Sequence, residues 1–481
     1  MHSMLLALSC RPDGPRSLPR GLLAFALACT VGIVGDGQAA AVKGEVKLIT
    51  LDPGHFHAAL FQREMLPGVS DQVQVYAPLG PDLTAHMNRI ALFNERKEDP
   101  TNWKLEIHSS PDFFERLLRE HQGNVVVISG KNRVKIERIG AIARAGFHVL
   151  ADKPWIIEPD ALDKLQNALD MADRKGVVAF DAMTERYEIS CIVQRALVNE
   201  REVFGTPLTG SPDDPAVSME STHYLLKEVA GVPNLRPAWF FDIRQQGEGL
   251  SDVGTHLVER VPWMLFPEQG IDCQRDIQVL RASRWPTLLT RAQFRRVTGE
   301  GEFPEYLKSA LNADRLEYFA NNSVNYTLRG IHTKLVIRWN FEAQPGAKDT
   351  HQVICRGSRS RIEVRQGVDE QFRPEVYVVP NRAEEKDTLL SALDWKIREM
   401  QRSYPGLAVQ EQPGRFRVVI PDVYRVSHEA HFAKVAQRFL DYVWNPKLLP
   451  AWEKPNMLAK YYVTTKGIEI ARRATATSPK P

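Results

Sequence analysis

Residues 46–180 alternate short apolar segments with longer amphipathic ones, and this alternation restricts the fold more than any other feature of the chain. Six segments are rich in β-branched and aliphatic residues, and several are continuous apolar runs, as expected of strands buried on both faces. The stretches between them have helical periodicity. The pattern predicts an α/β fold with a Rossmann-type doubly wound parallel sheet. The predicted strands are 46–51, 73–76, 105–108, 125–129, 147–151 and 177–180.

After about residue 187 the pattern changes. Strand-like alternation becomes dominant, and helical periodicity returns in three segments at 387–402, 427–442 and 456–473. This part predicts an α+β domain with a largely antiparallel open sheet and a C-terminal helical extension. A length of 481 residues also favours two domains over one. The predicted domains are 42–183, Rossmann-like and dinucleotide-binding, and 184–481, α+β and suited to substrate binding or oligomerisation.

The first 41 residues differ from the rest of the chain. Arg11, Arg16 and Arg20 precede an apolar run at 21–35, and small residues end the segment at Ala41. A charged, an apolar and a small-residue region in this order are typical of a secretory signal. We therefore expect cleavage near Ala41 and export to the periplasm or another extracytoplasmic location. The run is short for a bilayer span, which makes an uncleaved membrane anchor the less favoured alternative.

Composition and charge argue against several classes of partner. With 62 basic and 59 acidic residues the formal net charge is +3, and no dense Lys/Arg run offers a surface for phosphate backbones. Nucleic acid is therefore not an expected partner. Removal of the predicted signal leaves Cys191, Cys273 and Cys355, which are widely spaced and odd in number. Buried free thiols are the favoured interpretation, with one disulfide as the alternative.

The first predicted strand runs into DPGHFH at residues 52–57, where a dinucleotide-binding chain has its glycine-rich turn. Such a turn lets the backbone approach a pyrophosphate, which the N-terminus of the next helix stabilises. The central glycine, Gly54, is present, but Asp52 and His57 stand where the outer two would be. A structural turn is therefore as well supported as a cofactor site. The next strand lacks the acidic residue that binds the adenosine ribose, so both NAD and NADP stay open.

Two further segments bring polar residues to the carboxyl ends of strands, where open α/β sheets bind ligands. They are SGKN at 129–132 and ADKP at 151–154, and a glycine-rich stretch, GEGLSDVGTH, follows at 247–256. In these motifs and their order the chain resembles the Gfo/Idh/MocA family of oxidoreductases. DKP stands in the place of that family's Glu-Lys-Pro, whereas the histidine that usually follows the family's asparagine is replaced. Residues 421–466 resemble an exported subgroup with a longer C-terminal region.

The resemblance implies a bound NAD or NADP and hydride transfer at a secondary alcohol. An alcohol that loses a hydride must also lose its hydroxyl proton, and a histidine is a suitable base. His256 is expected to take this proton, with Asp252 on the same helical face to orient the imidazole. Lys153 would hold the substrate oxygen through a charge-assisted hydrogen bond. The residues implied in cofactor binding are Gly54, His55, Phe56, His57, Ser129, Asn132, Asp152 and Lys153.

Weaker candidates lie outside these motifs. Trp239 and His223 could line a carbohydrate site, although core packing explains them equally well. His428 and His431 are three residues apart, whereas the zinc-protease motif spaces its histidines by four. This segment therefore predicts the start of a helix, and we expect no metal centre.

Three functions compete. The first is an NAD(P)-dependent oxidoreductase acting on a secondary alcohol of a sugar, polyol or glycoside. The second is a redox-neutral enzyme that keeps NAD(P) tightly bound and returns the hydride within one site, because a soluble nicotinamide pool is not expected outside the cytoplasm. Sugar-sugar oxidoreduction, epimerisation and NAD-dependent glycoside cleavage are reactions of this kind. The third is a non-catalytic sugar-binding protein on the same fold. An exposed sheet face would suit a homodimer or homotetramer.

Overall fold

The computed structural model describes residues 44–229, 232–233 and 235–477, so the predicted signal at 1–41 lies outside the described residues. The first sheet has six parallel strands in the order β3-β2-β1-β4-β5-β6. The chain adds β2 and β3 on one side of β1 and β4 to β6 on the other, so the order in which strands are added reverses between β1 and β4. Its central strands are buried throughout, and the predicted doubly wound sheet is confirmed. The strands are β1 (Leu48–Leu51), β2 (Gln72–Ala77), β3 (Lys104–Ser109), β4 (Val125–Ile128), β5 (His148–Ala151) and β6 (Ala179–Asp181).

Helices connect these strands. The helix between β3 and β4 begins at Phe113, with Asp112 at its N-cap position. Ser110 lies in the turn that leads into the helix, where its backbone carbonyl accepts a hydrogen bond from Phe113 N (3.3 Å). The next helix is followed by Gly146 with positive φ. The helices are α1 (His57–Leu60), α2 (Pro81–Glu95), α3 (Phe113–Glu120), α4 (Lys135–Arg144) and α5 (Leu162–Lys175).

The second sheet contains ten strands in the order β10-β12-β13-β7-β14-β15-β16-β18-β17, with β11 paired to β12. Within it β13 and β7 run parallel, and the other pairs are antiparallel, which confirms the largely antiparallel sheet. β8 and β9 pair with each other. The strands are β7 (Val217–Leu226), β8 (Glu228–Val229), β9 (Val232–Pro233), β10 (Ile277–Thr290), β11 (Leu311–Asn312), β12 (Arg315–Leu328), β13 (Ile331–Glu342), β14 (Thr350–Arg356), β15 (Ser360–Gln366), β16 (Glu375–Pro380), β17 (Ala408–Gln412) and β18 (Arg415–Val419).

The C-terminal helices return to the first sheet. Phe432 of the penultimate helix lies in one apolar core with Leu48 of β1, and Tyr461 of the last helix lies in another with Ile49. The predicted domain limits at residues 42, 183 and 184 stay a prediction. The remaining helices are α6 (Ile189–Val198), α7 (Arg201–Phe204), α8 (Ile243–Gln246), α9 (Gly254–Leu265), α10 (Arg291–Thr298), α11 (Lys386–Met400), α12 (His428–Trp444) and α13 (Glu453–Thr477).

Buried charges join the end of the parallel sheet to two helices. Lys460 of α13 donates to Asp181 at the end of β6 (2.7 Å) and to Glu259 of α9 (2.6 Å). The Tyr461 hydroxyl donates to Asp181 as well (2.8 Å). All four side chains are buried. Because an unpaired buried charge is costly, this arrangement fixes the position of α9, which carries His256.

Two expectations from composition concern cysteines and membranes. Cys191 and Cys355 are buried free thiols and Cys273 is a half-buried one, which confirms the favoured interpretation. Within the described part of the chain, no helix combines the length and the apolar character that a bilayer crossing needs.

Candidate functional site

A cleft of about 1190 Å³ lies at the carboxyl end of the parallel sheet and extends along the second sheet. Its walls come from the turn after β1, the loop after β5, the start of α9, strands β7 and β14, and the first turn of α12. The predicted site residues that line it are His55, Phe56, His57, Lys153, Asp252, His256 and His223. Those that are buried and do not line it are Gly54, Ser129, Asn132, Asp152 and Trp239.

The turn after β1 is shaped by close backbone contacts. Asp52 has φ 44°, the left-handed conformation that a glycine would adopt there, and Gly54 N donates to its carbonyl (2.7 Å). A Cβ on Gly130 would lie 2.9 Å from Gly54 N, so glycine at 130 lets the two loops touch. A Cβ on Gly54 would lie 3.4 Å from the ring of Trp239. Trp239 thus packs against this turn and does not line the cleft, contrary to its predicted place in the substrate site.

The Asp152 carboxylate, at the end of β5, organises the groups around this turn. Its Oδ2 accepts hydrogen bonds from His57 Nδ1 (2.9 Å) and Ser129 Oγ (3.0 Å). His55 Nδ1 lies 3.5 Å from the same oxygen. Lys135 donates to the backbone carbonyl of Asp152 (2.9 Å). Asp152 therefore lies behind the cleft lining, where it holds the His57 imidazole, and Ser129 fixes the carboxylate.

Asn132 has a structural role. Its side chain donates to the carbonyl of Gln246 (2.8 Å), and its backbone N–H donates to that of Gln245 (2.8 Å). These bonds tie the loop after β4 to α8, next to the segment that leads into α9. Asn132 thereby connects the loop after β4 to the segment that precedes α9.

The histidines along the turn are held neutral. Burial lowers the pKa of His57 and of His55, because an imidazolium loses hydration there. Burial together with the nearby Lys153 also lowers the pKa of His256 well below its usual value. Neutral imidazoles have a free lone pair, so these side chains are able to accept a proton or bind a metal ion.

Lys153 and Asp252 form an ion pair at the centre of the cleft. Lys153 Nζ donates to Asp252 Oδ1 (2.6 Å), and both side chains are about nine-tenths buried. Burial alone would lower the pKa of Lys153, but the Asp252 carboxylate raises it above the ordinary value. The ammonium is therefore retained, and its remaining N–H groups can serve a ligand.

The expected link between Asp252 and His256 is absent from the described contacts. Helix α9 begins at Gly254, so Asp252 lies in the preceding turn and not on the helical face of His256. Its hydrogen bond goes to Lys153. His256 Nδ1 is buried with no hydrogen-bond partner among the described residues. The expectation that Asp252 orients the imidazole is replaced by a lysine–carboxylate pair beside a free imidazole.

The opposite wall carries a second polar cluster around His223. His223 Nδ1 lies 3.0 Å from Asp349 Oδ2, and Lys227 Nζ donates to the same oxygen (2.5 Å). Arg236 lies over the ring of Trp339, 4.9 Å from its centroid, and has no carboxylate partner in the described part of the chain. This wall therefore combines hydrogen-bonding groups with an indole ring that a guanidinium covers.

Sequence reasoning missed several cleft residues. The helix start predicted at His428 is confirmed, with the Ser427 side chain as its cap, yet His428 and His431 also line the cleft. No spacing signals such residues, because distant elements bring them together. The other unpredicted side chains in the lining include Arg89, Lys227, Arg236, Arg260, Asp349 and His351.

A cleft with acid–base groups at the carboxyl end of a doubly wound sheet defines an α/β enzyme site. The family model described as "Putative oxidoreductase C terminal domain" matches residues 193–472, more than half of the chain. The chain belongs to this oxidoreductase family, and the prediction that it is an oxidoreductase enzyme is confirmed. Among functionally curated proteins the sequence has no match.

Solved structures agree with this assignment. A putative oxidoreductase from Parabacteroides merdae ATCC 43184 is 41% identical, with a TM-score of 0.88 over 90% of this chain and 99% of that one. GenD2 from gentamicin A biosynthesis, in complex with NAD, is 15% identical, with a TM-score of 0.53 over 93% and 98%. KijD10, a 3-ketoreductase from Actinomadura kijaniata in complex with NADP and TDP-benzene, is 14% identical, with a TM-score of 0.51 over 87% and 95%. The last two are under 25% identical and share the fold of this chain.

Proposed function

We propose that this protein is an NAD(P)-dependent oxidoreductase that acts on a secondary alcohol of a sugar, polyol or glycoside. The observation that carries the proposal is the pairing, in one cleft, of a protonated lysine with a neutral histidine. Lys153 keeps its charge through Asp252, and His256 has an unpartnered buried nitrogen. Oxidation of an alcohol needs both a cation at the oxygen and an acceptor for its proton.

Support for the nicotinamide cofactor comes from the crystal structures of GenD2 and KijD10, which contain NAD and NADP. The pyrophosphate end of the site differs from a glycine-rich fingerprint, since α1 has four residues and Trp239 packs on Gly54. Arg89 compensates: it lies in the cleft over Phe56, 5.4 Å from the ring centroid, without a carboxylate partner in the described part of the chain. Its guanidinium suits a phosphate.

The chain's own residues divide the chemistry. When bound, the oxidised nicotinamide supplies the hydride acceptor. Lys153 donates a hydrogen bond to the substrate oxygen, while His256 takes up the hydroxyl proton as the carbonyl forms. Asp252 keeps Lys153 protonated and in place. Trp339, Arg236 and His223 offer the opposite wall to the body of a carbohydrate-like substrate.

The test is a hydride-transfer assay with a panel of sugars, polyols and glycosides in the presence of NAD or NADP. Lys153→Met and His256→Gln should each lower kcat by about 10²–10⁴-fold, as expected for loss of an acid–base or electrophilic group. The matched control is Lys164→Met, because Lys164 is an exposed lysine paired with Glu137. Full activity in Lys153→Met or His256→Gln would refute the assigned roles.

We also propose that the protein is exported, on the strength of the signal-like segment at residues 1–41. Export favours a cofactor that stays bound and a hydride that returns within the site, so a redox-neutral reaction is the second candidate function. Cell fractionation tests the location: the protein should be found outside the cytoplasm, shortened near Ala41. Recovery of the full-length chain from the cytoplasm would contradict export.

A further inference from the structure

The turn after β1 and the end of β5 bring two imidazoles and one carboxylate together. His57 Nδ1 lies 2.9 Å and His55 Nδ1 3.5 Å from Asp152 Oδ2. The ligand atoms of the three residues all lie within 4.8 Å of one another. Three groups that follow β1 and β5, the strands on either side of β4, thus converge on one point at the edge of the cleft.

This cluster contains atoms that the protein leaves unsatisfied. His55 Nδ1 and Asp152 Oδ1 are both buried without a hydrogen-bond partner in the described part of the chain. A buried polar atom without a partner costs about 1–3 kcal/mol, so such atoms usually meet a ligand. These two atoms belong to His55 and Asp152, the residues that lie beside His57. Because a carboxylate oxygen and a neutral imidazole nitrogen can each donate an electron pair, a cation bound at this cluster would satisfy them.

We propose that His55, His57 and Asp152 bind one divalent transition-metal ion, with a further coordination position open to the cleft. In a tetrahedral site with bonds of about 2.0–2.2 Å, neighbouring ligand atoms are about 3.3–3.6 Å apart. The 3.5 Å between His55 Nδ1 and Asp152 Oδ2 lies in this range. His57 Nδ1, at 2.9 Å, gives up its hydrogen bond to Asp152 when the ion binds, so its proton moves to Nε2 and the two atoms separate to a ligand spacing. Imidazole nitrogen with carboxylate oxygen suits Zn²⁺ and Fe²⁺ and disfavours Mg²⁺ and Ca²⁺. His55 is one-fifth exposed, so water or a substrate oxygen can reach the ion.

The surroundings of the cluster are those of a metal site. Ser129 donates to Asp152 Oδ2 (3.0 Å), which holds the carboxylate in one orientation, as the outer shell of a metal site does. His428 adds another imidazole, with its ring centroid 5.7 Å from that of His57. The positive charge of Lys153 is offset by Asp252, so repulsion of the ion is reduced. The inference goes beyond the proposed function, because it needs neither a dinucleotide nor a substrate.

The experiment measures metal binding directly on the full-length protein, purified without a metal-affinity tag and stripped with EDTA. Co²⁺ is added and its visible absorption recorded, and Zn²⁺ binding is then measured by calorimetry. We expect one equivalent of each ion per chain. His55→Ala and His57→Ala should each weaken binding by about 100-fold or more, because each removes a ligand. The matched control His351→Ala removes an imidazole that lines the same cleft outside the cluster and should bind as the wild type does.

Fold is checked by circular dichroism, and His55, the most exposed ligand, keeps the test valid if His57→Ala does not fold. Absence of saturable Co²⁺ uptake by the wild-type protein would overturn the proposal. An equal loss of binding in His351→Ala would overturn it too, since it would indicate nonspecific capture by histidines. Metal uptake in a protein that binds no dinucleotide would support this site and count against the proposed function.

Discussion

Lys153 and Asp252 show how one contact decides the chemistry of the cleft. Their side chains are nearly buried and 2.6 Å apart, and each keeps the other charged. Asp252 offsets the burial that by itself would lower the pKa of the Lys153 ammonium. The carboxylate that sequence reasoning gave to His256 therefore serves the lysine.

A double-mutant series tests this pair. Asp252→Leu should destabilise the fold by about 3–5 kcal/mol, because it leaves Lys153 buried without a counterion. The combination Asp252→Leu with Lys153→Met should recover most of that loss, since no charge then remains. Urea unfolding at neutral pH measures both. If the single variant loses under about 1 kcal/mol, or the double variant loses more than the single one, the pair does not carry this energy.

Among the helices, α2 contains a histidine that makes the fold sensitive to acid. His86 is 4% exposed, and neither ring nitrogen has a hydrogen-bond partner in the described part of the chain. Burial lowers its pKa from 6.5 to about 4. Between these values the unfolded chain binds a proton that the folded chain does not, so stability falls as pH drops.

The predicted size of this effect follows from the pKa shift. Between pH 7.5 and pH 5 the His86 contribution should cost the wild type about 2 kcal/mol, at about 1.4 kcal/mol per pH unit below 6.5. Over the same pH interval, the His86→Leu variant should lose about 2 kcal/mol less stability than the wild type. Urea unfolding of both proteins at several pH values gives the comparison. Parallel pH dependences would show that His86 is not the group responsible.

At the scale of the whole molecule, the two C-terminal helices pack against the first sheet. Phe432 of α12 packs on His57 and Phe61, with ring centroids 4.5 and 5.3 Å away. Helix α13 adds Lys460 and Tyr461 to the end of the parallel sheet. The last part of the chain therefore stabilises the first sheet and one wall of the cleft.

Truncation of one side chain tests this closure. Phe432→Ala should cost about 3–5 kcal/mol, because Phe432 is 1% exposed and the cavity cannot be filled from solvent. The control Val423→Ala changes a residue that is 75% exposed and should stay within about 0.5 kcal/mol of the wild type. Thermal unfolding monitored by circular dichroism compares the three proteins. Equal stability of Phe432→Ala and the wild type would show that α12 does not support the sheet.

The parallel sheet was predictable because its signal is local: continuous apolar runs such as those of β1 and β4 mark buried strands. The convergence of Lys153 and His256 followed from family motifs. The partner of Asp252 could not be predicted in this way, because helix α9 begins at Gly254, two residues after Asp252, so the four-residue spacing to His256 is not helical throughout. The position of His428 in the cleft could not be predicted either, because the packing of α12 beside the turn after β1 depends on contacts between distant parts of the chain.

Whether the protein uses a nicotinamide cofactor is tested by measuring the dinucleotide that it carries or binds. Purified protein is denatured, and the supernatant is assayed enzymatically for NAD and NADP; the native protein is also titrated with both. We expect close to one equivalent of released dinucleotide per chain or, if the cofactor exchanges, saturable binding of NAD or NADP that Arg89→Ala weakens. Neither release nor measurable binding of either dinucleotide would contradict it.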